Sequence, residues 1–359
     1  MASLVKPCFQ PCSQQSLPLP APVQHQHQQP SCSARCGGFR VFDTDWKRLK
    51  QEHQRPSRLA TANRHWSVAS LQKTGSAGNV AAVTANVDQE TRRISHLFEG
   101  LRKEGKVALI PYLTAGDPNL ETTAKAIRLL DRLGCSIIEL GIPYSDPLAD
   151  GPVIQAAATR ALGGGTNLES VLDLMREVVP QIKAPIVLFI YYNQLLKRGA
   201  EKFVLEALEA GASGIVVPDL PLEETAKLRR LTGAVGLELV LLTTPTTPKE
   251  RMHAITEVSQ GFVYLVSLTG VTGARANIES RVEDLLKTIK EVTDKPVCVG
   301  FGISNGQQAR QIAEWGADGV IIGSAVVKLL GESGTPEQGL QAVEEFIVDV
   351  QNCIAQRKR

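Results

Sequence analysis

The sequence predicts a (β/α)8 barrel of the TIM type, on three observations. Eight short apolar runs rich in β-branched residues recur between residues 107 and 322. Helical patterns, with apolar residues three and four apart, lie between them. The segment that holds them, from residue 88 onward, is close to the ~250 residues of a single barrel. Strand and helix in alternation imply a parallel sheet, and eight repeats imply closure. The other fold considered, a doubly wound open sheet, would carry a Gly-x-Gly-x-x-Gly turn after its first strand, and none is present.

Thr91–Leu101 has helical spacing and suits a plug for the barrel floor. Val107–Leu113 reads as the first strand and Thr123–Leu133 as its helix. Ser136–Gly141 is the second strand, and the long interval after it has room for an extra helix, Val153–Leu162, ahead of Leu168–Val179. Ile186–Tyr191 pairs with helix Glu201–Ala210, and Gly214–Val217 with Leu222–Leu231. Glu238–Leu242 precedes a helical stretch that contains His253. Phe262–Ser267 runs into Gly270–Asn277, too rich in glycine for a helix and read as a loop, before helix Glu283–Val292. Pro296–Phe301 precedes Gly306–Trp315, and Gly319–Ile322 is the eighth strand, with a helix starting at Ser324.

The net charge of +2 hides a division. Residues 1–87 hold ten basic and three acidic residues and no acid before Asp43, whereas the remainder is mildly acidic. A basic, Ser-containing, acid-poor leader without a long apolar core fits a plastid transit peptide. The predicted division is therefore a leader at 1–87 and a catalytic barrel at 88–359. The acidic body gives no electrostatic reason to expect nucleic acid, and no window approaches a membrane span. Four cysteines (Cys8, Cys12, Cys32, Cys36) lie in the leader without an apolar frame to hold zinc. Cys135, Cys298 and Cys353 are scattered as free thiols would be in a reducing compartment.

The chemistry concentrates after the second strand. Glu139 interrupts the apolar run Ile137–Leu140, and Asp150 follows beyond a loop stiffened by Pro143 and Pro147. A carboxylate inside a barrel is costly unless paired or useful. Two acids, one on a strand and one on its loop, suit two different proton tasks on one small substrate. The plainer alternatives are a structural arginine for Glu139 and helix capping after Gly151 for Asp150. Glycines close the seventh and eighth strands, in Gly300-Phe301-Gly302 and Gly323-Ser324, where backbone N–H groups and a helix start can hold a phosphate. Gly273 could close that cradle. Tyr112, Phe189, Tyr264 and Phe301 suggest walls for a planar apolar group, or else barrel filler. No lysine lies in the C-terminal half of a strand, and the body holds two histidines, His96 and His253. Schiff-base, histidine-metal and Ser/His/Asp chemistry therefore lack residues, which leaves acid–base work on a phosphorylated compound.

The run Glu139-Leu140-Gly141-Ile142-Pro143-Tyr144-Ser145-Asp146-Pro147-Leu148-Ala149-Asp150-Gly151 resembles the signature of the tryptophan synthase alpha subunit family. So do Pro111–Pro118, Val217–Pro221, Gly270–Gly273, Gly300–Ser304 and Gly323–Ala325. The resemblance covers roughly residues 90–350. It implies retro-aldol cleavage of indole-3-glycerol phosphate to indole and glyceraldehyde 3-phosphate. Glu139 would be the acid/base, Asp150 the partner of the indole N–H, and Tyr264 a wall of the indole pocket. Gly273, Gly302, Gly323 and Ser324 would bind phosphate, and Thr272 would order over substrate. No metal or cofactor is implied in this chain. Pyridoxal phosphate is expected only in a beta-subunit partner, within an alpha2-beta2 heterotetramer. Tyr112 stands where many bacterial members have phenylalanine. The alternatives within reach are a stand-alone lyase that releases indole, a non-catalytic barrel that activates a beta subunit, and a phosphosugar isomerase. The last would not explain the signature run.

Overall fold

The computed structural model describes residues 92–266, 280–300 and 302–356. The leader, Thr91, the Gly270–Asn277 segment and Phe301 therefore lie outside the described residues. Eight parallel strands close into a barrel in sequence order. They are β1 Ala108–Thr114, β2 Ile138–Gly141, β3 Ile186–Phe189 and β4 Gly214–Val216, then β5 Glu238–Thr243, β6 Val263–Val266, β7 Val297–Gly300 and β8 Gly319–Ile322. The helices are α1 Ile94–Glu104, α2 Leu120–Arg132, α3 Pro152–Gly163, α4 Leu168–Val178, α5 Tyr192–Arg198 and α6 Ala200–Glu209. They continue with α7 Thr225–Val235, α8 Lys249–Val258, α9 Ser280–Lys290, α10 Gly306–Glu314, α11 Ser324–Gly331 and α12 Pro336–Ala355. None of the helices among the described residues is long and apolar enough to cross a membrane.

The predicted barrel, its N-terminal helix and the extra helix α3 are all present. The structure differs from the expected elements at three places. The third strand stops at Phe189, because the chain turns at Tyr191 to start α5, whose first N–H, on Tyr192, donates to Asp219 Oδ1 (2.8 Å). Two turns with one buried residue, Leu195, are too short to show a period in sequence. The predicted helix at Leu222 begins as a 3-10 turn, and α7 proper starts at Thr225. Beyond the eighth strand lies α12, a long helix with Thr335 as N-cap and Val343, Ile347, Val350 and Ile354 on its buried stripe.

Strand register separates two apolar layers. Leu109, Leu113, Ile138, Leu140, Leu239 and Leu241 face the helices. Ala108, Ile110, Tyr112, Ile137, Val187 and Val240 pack together in the barrel interior. Side chains alternate along a strand, so Glu139 shares the inner face with Ile137. It lies in register with Tyr112 of β1 and Val187 of β3. The floor is closed by α1. Ile94 and Phe98 are buried there, with the Phe98 ring 5.8 Å from that of Phe262. Glu238, at the start of β5, receives the free N–H groups of Ile94 (2.6 Å) and Ser95 (3.2 Å) on one carboxylate oxygen. An acid at a helix N-terminus satisfies its unpaired donors and meets the positive end of its dipole. The plug is thus held by charge as well as by packing, at the end of the barrel opposite the predicted chemistry.

Candidate active site

At the C-terminal end of the barrel, a small chamber is lined by Tyr112, Glu139, Asp150, Ile154, Phe189, Tyr264, Gly302, Ile303, Ile321, Gly323 and Ser324. It brings together eight of the predicted site residues: both acids, three of the four rings, and Gly302, Gly323 and Ser324. The other three, Thr272, Gly273 and Phe301, lie outside the described residues. Ile154, Ile303 and Ile321 were not foreseen as walls. Of these, Ile321 could have been placed by its inward position on β8, whereas Ile154 and Ile303 sit on a helix and a loop whose approach depends on the fold. A larger hollow of about 410 Å³ lies beside the ends of β4 and β5. Its one lining charge, Arg251, is forked onto Glu223 (2.7 and 2.9 Å), so it offers space without acid–base chemistry. The chamber with the two carboxyls is the better candidate despite free space of about 40 Å³. A substrate of indole size must displace some of its walls to enter, as happens where loops close over a ligand.

Glu139 is 2% exposed, and its Oε1 has no hydrogen-bond partner among the described residues. Among the described residues no arginine holds it, contrary to the structural alternative. Burial, and secondarily the charge of Asp150, push its pKa up to about 8. The backbone makes room for its neighbour: a Cβ at Gly141 would lie 2.0 Å from the Tyr112 hydroxyl. Only glycine at the end of β2 lets that ring lie over the strand next to the acid. Tyr112 and Tyr264 are both buried and held neutral, with pKa values well above the usual phenol range because burial disfavours the phenolate. Tyr112 and Phe189 meet edge to face with centroids 5.7 Å apart, which leaves flat apolar walls around a single acid.

Asp150 is 5% exposed and does not cap α3, whose N-cap is Gly151 without a side-chain bond. Instead the Tyr191 hydroxyl donates to Asp150 Oδ2 (2.8 Å), while its oxygen accepts the Ala149 N–H (3.2 Å). The Gln155 side-chain amide donates to the Asp150 carbonyl (2.8 Å). The loop is braced from α5: Gln194 Nε2 donates to the Pro143 carbonyl (3.0 Å), and the Tyr144 ring packs 5.2 Å from Tyr191. Burial raises the Asp150 pKa to about 6, and the Tyr191 bond works against the rise. The two acids are thus set on opposite sides of neutral pH. Near pH 7 one is largely protonated and the other largely ionised, the division of labour that acid–base catalysis uses. The role of Tyr191 was not legible, although it was placed at the chemical end of its strand. Its partner stands 41 residues earlier in the chain. Among the described residues no group of three or more His, Cys, Asp or Glu side chains is arranged to hold a metal ion.

The sequence matches the family model described as "Tryptophan synthase alpha chain" over residues 98–355. The tryptophan synthase alpha chain of Arabidopsis thaliana is 58% identical over 261 residues, 73% of this chain and 95% of that one. The protein of the same name from Trichodesmium erythraeum is 58% identical over 262 residues, 73% of this chain and 98% of that one. Among solved structures, Mycobacterium tuberculosis tryptophan synthase superposes with a TM-score of 0.68 at 35% identity, over 73% of this chain and 98% of that one. A chain of the tryptophan synthase a2b2 complex of Pyrococcus furiosus superposes with a TM-score of 0.65 at 39% identity, over 68% of this chain and 98% of that one.

The Tyr191–Asp150 bond generates a prediction. Tyr191→Phe removes a donor that favours the Asp150 carboxylate, so the Asp150 pKa must rise further. The acid limb of the kcat–pH profile, which the Asp150 carboxylate is expected to set, should move to higher pH while the alkaline limb stays in place. A profile unmoved on its acid side shows that Asp150 does not need Tyr191.

Proposed function

The chain belongs to the tryptophan synthase alpha chain family, and we propose that its chamber carries out the family's reaction with Glu139 and Asp150 as the working acids. It is a lyase of tryptophan biosynthesis that cleaves indole-3-glycerol phosphate to indole and glyceraldehyde 3-phosphate. The observation that carries the assignment of roles is that both carboxyls line one enclosed chamber, Glu139 with no partner for Oε1 among the described residues and Asp150 held by the Tyr191 hydroxyl.

The steps follow from what each group can do. Protonated Glu139 delivers its proton to the indole ring carbon that bears the glycerol chain. The ring becomes an indolenine cation, and ionised Asp150 accepts the hydrogen bond of its N–H and stabilises the positive charge. The carbon–carbon bond then breaks toward the ring, which restores the aromatic system. The adjacent glycerol hydroxyl becomes the aldehyde and gives up its proton, and the Glu139 carboxylate takes it, ready for another turnover. One proton is lent and one is returned, so no external acid or base is consumed. Tyr112, Phe189, Tyr264 and Phe301 serve as apolar walls for the ring. Gly302, Gly323 and Ser324, with Gly273, hold the phosphate through backbone donors and the start of α11, and Thr272 orders over the substrate. The chain works without a cofactor of its own, and pyridoxal phosphate belongs to a beta-subunit partner that takes up the indole. Leu148, an apolar residue 77% exposed on the loop that carries Asp150, supports a partner surface there. The basic leader at 1–87 supports import into the plastid.

Four outcomes are expected. Glu139→Gln keeps the shape and removes the proton, so kcat should fall about 10²–10⁴-fold. The same variant has a sign to check in stability. The Glu139 pKa is raised on folding from 4.5 to about 8. The buried acid is therefore tolerated best below pH 4.5, and the penalty for ionising it grows as the pH rises through 8. The Tm of Glu139→Gln should accordingly gain on the wild type across that window, and a constant difference would contradict the buried-acid assignment.

Indole release by the purified chain should rise about tenfold or more when a plant beta subunit is added. High activity alone, with no stimulation and no complex on gel filtration, would identify a stand-alone lyase. A fluorescent protein fused behind residues 1–87 should enter plastids, and signal confined to mitochondria or cytosol would overturn that localisation.

A further inference from the structure

Two helices at the mouth of the barrel carry chemical groups at their N-terminal ends, and their far ends meet on one ion pair. Asp150 lies just ahead of α3, and Ser324 of the phosphate cradle is the first residue of α11. The two helices pack against each other. Ile154 and Ala157 of α3 share an apolar cluster with Val327 of α11 and the chamber rings. Further along α3, Arg160 turns toward Asp117 in the loop after β1. Its Nε donates to Oδ1 (2.7 Å) and its Nη2 to Oδ2 (2.8 Å). Asp117 is 2% exposed, and the fork is bidentate, a geometry that fixes direction as well as distance. The last residue of α11, Gly331, lies directly against this pair. A Cβ there would stand 2.4 Å from Arg160 Nη2 and 2.5 Å from Asp117 Oδ2.

The proton steps use neither Asp117 nor Arg160. A staple that served stability alone could join any two surface elements. This one joins the strand loop next to Tyr112, the helix that follows Asp150 and the helix whose start receives the phosphate. From Ser324 to Gly331 and from Pro152 to Arg160 each helix spans about 12 Å, short enough to move as a rigid lever. A displacement at one N-terminus can therefore be passed to the other through the junction, against which Gly331 packs.

We propose that the Asp117–Arg160 pair, wedged against Gly331, is a positioning device that couples phosphate binding at the start of α11 to the placement of Asp150 ahead of α3. This rests on the reading of the chamber as an indole-3-glycerol phosphate site. The substrate's phosphate then raises kcat and not affinity alone, because its binding energy is used to set a catalytic group. Such coupling does not require the phosphate to be attached to the reacting part of the substrate.

The test uses the full chain with the phosphate-free substrate, indole-3-glycerol, with and without inorganic phosphite. Phosphite should stimulate cleavage by the wild type about tenfold or more, and in Arg160→Lys and Gly331→Ala by less than about twofold. Arg160→Lys keeps the charge and loses the fork, whereas Gly331→Ala keeps both charges and forces them apart. With indole-3-glycerol phosphate, both variants should lose about 10²-fold in kcat with KM changed only a few-fold, the pattern of a misplaced catalytic group. Thermal unfolding checks that each variant is folded. If Gly331→Ala does not fold, Arg160→Lys carries the test alone. Wild-type stimulation retained in a folded variant overturns the proposal in favour of a stability staple. Absence of stimulation in the wild type also overturns it. A wild type that does not cleave indole-3-glycerol phosphate at all overturns the assignment of the site itself.

Discussion

Glu139 is a carboxyl enclosed by eight strands with no cation beside it among the described residues, and the rest of the site is arranged around that fact. Desolvation is the largest influence on it and the nearby Asp150 charge the second, and both keep the proton on. Three further titratable neighbours are held neutral in the same way: burial pushes up the phenols of Tyr112 and Tyr264 and the thiol of Cys298. The strand that carries the acid pairs with β1 on one side and β3 on the other, so it cannot rotate the group out to water. Burying an acid in this way destabilises the fold at neutral pH. The apolar layers on both faces of the sheet supply the stability that allows it.

Asp150 is tuned by different means. It sits on a loop rather than a strand, and its position is set by a hydroxyl from the next strand's end rather than by backbone pairing. The brace made by Gln194, Tyr144 and Tyr191 gives that loop the definition it would otherwise lack. A strand-borne acid whose Oε1 meets no donor among the described residues and a loop-borne acid with one donor are pushed to about 8 and about 6.

The two ends of the barrel use charge in contrasting ways. At the floor, Glu238 finds two helix N–H donors and serves to dock α1. At the mouth, Glu139 finds none on Oε1. Both are single acids buried on strands, and local sequence does not separate them, since each is followed by apolar residues. Their position along the strand does. Glu238 opens β5 and Glu139 lies near the close of β2, and in this fold reactive groups belong to the C-terminal ends.

Much of the fold and the site was legible in the linear pattern. Apolar strand runs, helical spacing and closing glycines are local signals, and the eight strands fall within a few residues of where those signals put them. Glu139 stood out because a charge in an apolar run is rare, Asp150 because it follows on the loop leaving that strand, and the glycines after the last two strands because a helix start followed. The short helix α5 was not legible, because two turns carry no usable period. By itself the sequence determined the order and type of the elements and which residues could do chemistry. The tertiary structure decided that Glu139 faces inward, since a strand that is apolar on both faces gives no sign of which side is the interior. It also decided that Tyr191 reaches Asp150, that Gly141 lies under Tyr112, and that Arg160 closes on Asp117 beside Gly331. Each of these contacts joins residues far apart in the chain, and only closure of the barrel brings them within bonding distance.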